Sequence, residues 1–227
     1  MKFAAAFACT LISLPACAQK NSVIVKLCLP ALSDVVSFPT IQAGIEYKLS
    51  NKISWYNEIG IQYFKPYYQK VDTNFLSSDG YKLKTEIRYY FDKLIKKSIK
   101  QFRLYAAANI FFTHQHYNSE AFYTKSIDSV DYFVDGFAVK REVLGANLLM
   151  GYQKPVRKKW LIDFYLGVGI RLNFIHTINQ DFVYGSDRLM SHIDYTFSDA
   201  RLERDTKGGF DVAPNLTMGF RICYKLR

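Results

Sequence analysis

The chain has 227 residues, of which 49% are hydrophobic, 16% aromatic and 22% charged. This is the length of one domain, and its apolar content is too high and its charged fraction too low for a disordered chain. The formal net charge is +10, but the sequence has no basic stripe with interleaved exposed aromatics, so we expect no nucleic-acid partner.

The amino terminus has the layout of a secretory signal peptide. Lys2 precedes an apolar stretch, and a small-x-small ending closes at Ala18. Such a segment is too short to span a membrane as a helix and is removed on export. We expect residues 1–18 to be cleaved, which leaves residues 19–227 as one domain. A lipoprotein signal with Cys17 as the modified residue is the alternative.

Eight segments with strand periodicity follow the signal peptide. Apolar and polar residues alternate with a period of two in each of them. Most are ten or more residues long, which exceeds the five or six usual in soluble sheets and suits a tilted strand that crosses a membrane. The predicted strands are 22–29, 40–50, 53–64, 80–91, 101–113, 141–153, 159–175 and 213–227.

The two faces of these strands differ sharply. The 46 positions assigned to one face carry no charge and include Trp55, Trp160 and Phe164, whereas the other face holds charged residues such as Arg88 and Asp163 and seven of the twelve glycines. The interior of an eight-stranded barrel is only wide enough for side chains to fill it, so the bulky apolar set does not fit inside. An outward apolar face is satisfied by lipid. The sequence therefore predicts an all-β protein, an eight-stranded antiparallel up-and-down transmembrane β-barrel.

Aromatic residues gather at one end of the predicted barrel. Outward aromatic residues near the short connections are typical of the girdle that marks a membrane interface. The predicted girdle consists of Tyr47, Trp55, Tyr89, Phe91, Phe102, Tyr152, Trp160 and Tyr224.

Short and long connections alternate along the chain. Short turns on one side and long loops on the other are typical of outer-membrane barrels. The long loops contain aromatic and acidic residues, so they are a candidate binding surface for a protein or a glycan. Part of each loop is expected to extend the strands beyond the membrane. The predicted long loops are 30–39, 65–79, 114–140 and 176–212.

The last strand carries the most specific motif, Thr217-x-Gly219-x-x-Ile222-x-Tyr224. It resembles the signal by which the barrel-assembly machinery recognises its clients, although Lys225-Leu226-Arg227 follows where an aromatic residue usually ends the chain. The architecture resembles small OmpA-like and OmpX-like barrels, and more narrowly the poorly characterised "outer membrane protein beta-barrel" families. The resemblance implies a Gram-negative outer membrane, with its lipids and lipopolysaccharide and the barrel-assembly machinery as partners.

Charged residues on the inward face need partners. Buried charges that are neither paired nor hydrogen-bonded are strongly unfavourable. We therefore predict an ion-pair network that plugs the lumen, and a narrow ion-conducting pore is the alternative. The predicted members are Lys26, Glu46, Glu58, Glu86, Arg88, Arg103, Asp163, Arg171 and Arg221.

Two cysteines remain after the signal peptide, Cys28 and Cys223. Both face the lumen, on the first and last strands, which must be neighbours if the barrel closes. A disulfide across this seam and two free thiols are the two possibilities.

All four histidines lie at the long-loop end: His114, His116, His176 and His192. With Ser119 and Glu120 nearby, a lipid A-modifying enzyme has to be considered, because such enzymes place His, Ser and acidic residues at the outer rim of a barrel. The strand parity points His114 and His116 outward, however, and gives no shared pocket with Ser119. We expect no catalytic site, no metal site and no cofactor, and a non-enzymatic envelope-structural or binding role exerted through the long loops.

Overall fold

The fold is that of a computed structural model, which describes residues 23–28, 40–62, 79–91, 102–125, 131–190 and 203–226. The predicted signal peptide and His192 lie outside the described residues. Within them, no helix is long and apolar enough to cross a membrane.

Nine strands make up the described part of the chain. Eight of them form a closed antiparallel ring in chain order, with the last long strand, β9, pairing back onto the first. The two-residue strand β8 is attached to the end of β5. The strands are β1 (Val23–Cys28), β2 (Ile41–Lys48), β3 (Ile53–Ile61), β4 (Asp79–Tyr90), β5 (Arg103–Thr124), β6 (Phe133–Pro155), β7 (Trp160–Ile178), β8 (Arg188–Leu189) and β9 (Gly209–Lys225).

The apolar face of the ring points outward, as predicted. Val168, Leu148 and Met218 are 63%, 70% and 78% exposed, whereas Arg88 and Arg221 are completely buried. The interior is therefore polar and closely packed, and the outside is an apolar belt. This orientation confirms the assignment of the two faces from the alternating pattern.

The strands β5 and β6 are much longer than predicted. Residues 114–124 and 133–140, predicted to lie in a loop, continue the two strands as a paired extension. Alternation continues there, because Gln115, Tyr117 and Ser119 are buried between more exposed neighbours. Most of the predicted loop 114–140 is therefore strand, in agreement with the expectation that part of each long loop extends the strands. Likewise β7 reaches residue 178 and β9 begins at residue 209, which shortens the predicted loop 176–212.

Glycines on the inward face make room for aromatic rings. A Cβ atom on Gly219 would collide with the hydroxyl and ring of Tyr165, one on Gly151 with the ring of Tyr105, and one on Gly44 with the ring of Tyr56. Inward glycines therefore accommodate large neighbouring side chains at these positions.

Replacing Gly219 by alanine is expected to destabilise the barrel. The added methyl group displaces Tyr165, whose ring lies 3.9 Å from the guanidinium carbon of Arg221. Overpacking of this kind costs about 1–3 kcal/mol of stability. The loss is measured as a lower midpoint of urea unfolding, followed by the amount of folded band on an unheated gel. Gly136→Ala is the matched control, because a Cβ atom there meets nothing within 4 Å. Equal midpoints for the two variants contradict the expected clash.

Candidate functional site

The lumen at the short-turn end is filled by a cluster of charged residues, here called the charge network. It contains four carboxylates and four cations, so its formal charge is zero. Their side chains are between 0% and 5% exposed, which excludes bulk water from this layer. The members are Lys26, Glu46, Glu58, Lys84, Glu86, Arg88, Asp163 and Arg221.

Asp163 on β7 lies at the centre of the charge network. Its Oδ2 atom lies 2.5 Å from Nζ of Lys26 and 2.7 Å from Nη1 of Arg88. Nη1 of Arg221 lies 3.6 Å from the same oxygen, and the hydroxyl of Tyr105 donates to Oδ1 at 2.7 Å. One carboxylate thus joins cations from β1, β4 and β9.

Glu46 forms the second centre. Its Oε2 atom lies 2.5 Å from Nζ of Lys26 and accepts a hydrogen bond from Nε2 of Gln153 at 3.1 Å. The hydroxyl of Tyr90 donates to Oε1 at 2.5 Å. Nη1 of Arg88 also donates to Oε2 at 3.4 Å, so four donors satisfy this buried carboxylate.

Arg221 connects the two remaining carboxylates. Its Nε atom lies 3.2 Å from Oε2 of Glu58, and its Nη2 atom lies 3.4 Å from Oε2 of Glu86. Glu58 also pairs with Nζ of Lys84 at 2.5 Å and accepts a hydrogen bond from the hydroxyl of Tyr56 at 2.5 Å. The network is therefore continuous around the lumen.

Tyrosine rings contact both arginines of the charge network. The guanidinium carbon of Arg88 lies 4.9 Å from the ring centroid of Tyr56 and 4.5 Å from that of Tyr105. Arg221 lies 3.9 Å from the ring of Tyr165 and 4.6 Å from that of Tyr56. Buried cation–π contacts of this kind are worth up to about 2 kcal/mol each.

The structure brings seven of the nine predicted network residues together and places two elsewhere. Arg103 lies at the short-turn mouth, where it donates to the carbonyl of Asn51 at 3.3 Å and its guanidinium carbon lies 4.2 Å from the ring of Tyr90. Arg171 lies one layer higher. The sequence reasoning missed Lys84 as a member, although its inward parity on β4 was visible.

A polar chamber lies above the charge network. Its volume is about 90 Å³, and Lys82, Lys84, Arg141 and Arg171 contribute its charged lining. The rest of the lining is mostly amide and hydroxyl side chains. These include Thr40, Asn109, Thr113, Gln115, Asn147, Asn215 and Thr217.

An apolar cluster and a folded loop lie above the chamber. Tyr117, Ala121, Phe137, Val139 and Ile175 are buried against one another between β5, β6 and β7. The strand β8 packs on this cluster through Leu189. This part of the lumen contains buried apolar side chains instead of ion pairs.

Two carboxylates anchor the polypeptide that covers the cluster. Asp135 on β6 accepts hydrogen bonds from the backbone N–H groups of Asp181 and Phe182, at 2.7 and 2.8 Å. The hydroxyl of Tyr117 donates to Asp205 at 2.6 Å, and Asp205 lies in a single helical turn, residues 203–207. We call residues 179–190 and this turn the cap.

No disulfide joins Cys28 and Cys223, because both thiols are free. The register of β1 on β9 places Cys28 opposite Arg221, and Cys223 opposite Lys26. The two cysteines are thus offset by two residues along the seam. Both remain buried, as expected for inward residues.

Thiol titration tests this arrangement. In denatured, unreduced protein, Cys28→Ala is expected to lower the number of free thiols by one relative to the wild type. A disulfide predicts the opposite change, because removing one partner releases the other. An increase of one therefore contradicts the register.

The predicted aromatic girdle forms a series of ring contacts at the short-turn end. Tyr89 and Phe91 lie 5.3 Å apart between ring centroids, Trp160 and Tyr224 lie 5.0 Å apart, and Tyr47 lies 6.3 Å from Trp55. Four further rings form a continuous series, which starts at the residue before β5 and continues on β6, β7 and β9. It consists of Phe102, Tyr152, Phe164 and Phe220.

The outer rim shows no catalytic constellation among the described residues. His114 lies on the outside, 5.4 Å from the ring of Tyr81 between centroids, and its Nδ1 atom is 3.4 Å from Glu142. His116 also lies on the outside: its side chain is 45% exposed, and its Nδ1 atom lies 3.3 Å from Oδ1 of Asp79. Ser119, in contrast, is buried on the inward face. The described residues also contain no group of side chains that would hold a metal ion.

No curated protein matches the chain in sequence. Among solved structures, the chain is similar to a major outer membrane protein from Thermus thermophilus, with 10% identity and a TM-score of 0.46. The similarity covers 91% of this chain and 98% of that one. The model of a family described as "Protein of unknown function (DUF3575)" matches residues 5–189. The chain therefore belongs to this family of proteins of unknown function.

Proposed function

We propose that this protein is an integral outer-membrane β-barrel of a Gram-negative envelope, with a closed lumen. It has a non-enzymatic, envelope-structural or binding role, exerted through the extracellular extension of β5 and β6 and through the cap. The observation that carries this proposal is a completely closed ring whose outside is apolar and whose inside is a neutral, dehydrated charge network.

The apolar belt has the borders expected of a membrane-spanning region. Along β7 it extends from Trp160 to Phe174, both outward and about half exposed. At the level of Phe174 the outward neighbour on β6 is Glu142, and next to it on β5 is His114. Charged and polar outward residues therefore begin where the apolar belt ends, as expected at an interface with water.

The lumen supports a structural role over conduction. The charge network leaves its members without appreciable exposure, and the apolar cluster closes the other end. An ion would have to separate buried ion pairs to pass. We therefore infer that the barrel does not conduct.

The extracellular extension supports a binding role. Near the tip of the β5–β6 hairpin, Phe122, Tyr132 and Val134 are 46%, 67% and 62% exposed, and Tyr184 of the cap is 46% exposed. Exposed aromatic and aliphatic residues beyond a membrane belt are typical of contact surfaces. Lipopolysaccharide, a protein or a glycan is the class of partner that such a surface would meet.

The carboxy-terminal motif supports delivery to this location. The outward residues Ile222 and Tyr224 of β9 belong to the motif that resembles the signal of the barrel-assembly machinery. Export by the predicted signal peptide precedes this step.

Membrane fractionation with gel analysis tests the location and the fold. The protein is expected in the outer-membrane fraction and to migrate differently in unheated and heated samples, since a folded barrel resists unfolding in detergent. Purified protein is expected to give no unitary conductance in planar bilayers. Recovery in a soluble fraction contradicts the proposal, and stepwise currents contradict the closed lumen.

A deletion strain tests the role. We expect the deletion strain to be more sensitive to detergents. The wild-type gene is expected to restore resistance, whereas the variant Phe122→Ser/Val134→Ser is not, although its barrel still shifts on the gel. Lipid A from the deletion strain is expected to be unchanged. An altered acylation pattern that returns to normal when the gene is reintroduced would instead support a lipid A-modifying enzyme.

A further inference from the structure

We propose that the β2–β4 side of the apolar belt is an interface through which two copies of this chain associate in the membrane, with the amide of Asn57 hydrogen-bonded to its counterpart in the second copy. This inference rests on the membrane location proposed above, but not on a binding role of the extracellular surface. It starts from a polar side chain at a place where lipid cannot satisfy it.

Polar side chains are rare on the outside of the belt. Among the described outward residues between the aromatic girdle and the upper border of the belt, only Asn57 and Thr85 are plainly polar. Asn57 is the third of the five outward residues of β3, which run from Ile53 to Ile61, and Thr85 is its cross-strand neighbour on β4. Both therefore lie near the middle of the belt, where neither water nor a lipid headgroup is available as a partner.

The amide oxygen of Asn57 lacks a hydrogen-bond partner. Its Oδ1 atom accepts no hydrogen bond from the described residues. The indole Nε1 of Trp55, the preceding outward residue on the same strand, donates instead to Oγ1 of Thr85 at 2.8 Å. A polar group without a partner is strongly unfavourable in hydrocarbon. A protein partner with a hydrogen-bonding group would remove this cost, whereas an acyl chain would not.

The amide of Asn57 is able to turn toward such a partner. The side chain is half-buried, and the last torsion of an asparagine is broad and about two-fold. Rotation about this bond therefore turns either the oxygen or the NH₂ group outward. Because an amide is both a donor and an acceptor, two asparagines that face each other satisfy each other reciprocally.

A second copy of the chain is the partner that fits this group. Copies inserted in the same direction place equal residues at equal depth. A two-fold axis along the membrane normal can therefore bring Asn57 next to its counterpart. Such an interface has to be self-complementary, and a pair of amides is. Polar side chains that hydrogen-bond across an interface also hold membrane-spanning helices together.

The surroundings of Asn57 suit a close contact. Ile45 on β2 lies opposite Asn57, and Ala43 lies opposite Ile59. Ile59 and Ile87 are 54% and 60% exposed. Isoleucine is stiff at its first side-chain torsion, so packing it against a second barrel restricts few rotamers. The small side chain of Ala43 allows a neighbour to approach closely.

Cysteine cross-linking in the outer membrane tests the interface. Ile59→Cys, next to Asn57 on the outside of β3, is expected to give a cross-linked dimer on mild oxidation with copper phenanthroline. Val168→Cys is the matched control, because Val168 is similarly exposed but lies on β7, four strands from β3 in either direction around the ring. The native thiols of Cys28 and Cys223 are buried, so we expect no cross-link through them.

Asn57→Leu tests the hydrogen bond itself. Sedimentation equilibrium in a density-matched detergent is expected to show a dissociation constant of the dimer about tenfold higher than that of the wild type. Asn57→Gln keeps an amide and is expected to retain most of the association. At protein concentrations too low for dimers, leucine on the lipid face is expected to leave the urea midpoint unchanged or to raise it. A lower midpoint would mean that Asn57 stabilises the single barrel, which contradicts its role in the interface.

Three further results overturn the interface. The first is equal cross-linking of Ile59→Cys and Val168→Cys, which indicates random collisions. The second is a cross-link from Ile59→Cys to a different protein, identified by mass spectrometry, and the third is an unchanged dissociation constant in Asn57→Leu. The location of each variant is checked separately by fractionation and by its mobility on an unheated gel. A folded, membrane-located protein without dimers contradicts this interface alone, whereas recovery in a soluble fraction contradicts the proposed function.

Discussion

Asp163→Asn is expected to cause the largest loss of stability among single substitutions in the lumen. The change removes one negative charge that Lys26, Arg88 and Arg221 share at distances of 2.5, 2.7 and 3.6 Å. All four side chains are completely buried, so water does not replace the lost partner. Breaking a buried ion pair from one side costs about 3–5 kcal/mol. The loss in free energy of unfolding is measured by urea unfolding in vesicles, with the folded band on an unheated gel as the readout.

A second variant tests the charge balance itself. Asp163→Asn/Lys26→Gln restores the neutrality of the network, so it is expected to recover part of the stability lost in Asp163→Asn. Asp187→Asn, in the surface turn of the cap, is the control for the chemical change alone. A loss below about 1 kcal/mol for Asp163→Asn, within the range of exposed ion pairs, contradicts the dehydrated network.

Val168→Arg is expected to destabilise the barrel in a lipid bilayer by about 2–4 kcal/mol, the cost of an arginine on the lipid face near the midplane. Val168 is 63% exposed and lies about midway between Trp160 and Phe174 on β7. A soluble protein would tolerate arginine at so exposed a position.

Val134→Arg is a closely matched control for this substitution. Val134 is also an outward strand residue and is 62% exposed, but it lies on the extension of β6 beyond Lys140 and Glu142, outside the apolar belt. We expect a change near zero for Val134→Arg in the same unfolding assay. Equal effects of the two variants contradict the placement of the apolar belt in a membrane.

The period-two pattern was sufficient to predict the ring and the composition of its interior. Each strand has only two possible faces, and one of them was almost free of charge, so Asp163, Arg88 and Arg221 could be assigned to the lumen. Parity does not specify height, however. Arg171 and Lys84 share the inward face, but only the register of the neighbouring strands places Lys84 in the charge network and Arg171 in the chamber.

The seam between β1 and β9 shows the same limit. A shift of two residues along a strand keeps every side chain on its face. The alternation therefore cannot distinguish Cys28 opposite Cys223 from Cys28 opposite Arg221, the pairing in the structure. The cap was unpredictable for a different reason. Phe182, whose backbone N–H donates to Asp135 of β6, lies in irregular backbone, which has no periodicity.

The geometry of the charge network has a consequence for assembly. Lys26 and Asp163 are 137 positions apart in sequence, and Glu58 and Arg221 are 163 apart, so neither pair forms until the first and last strands meet. An open sheet in lipid would present these ions to acyl chains without these partners. We therefore expect insertion and closure to occur as one concerted event, without a stable, partly inserted intermediate.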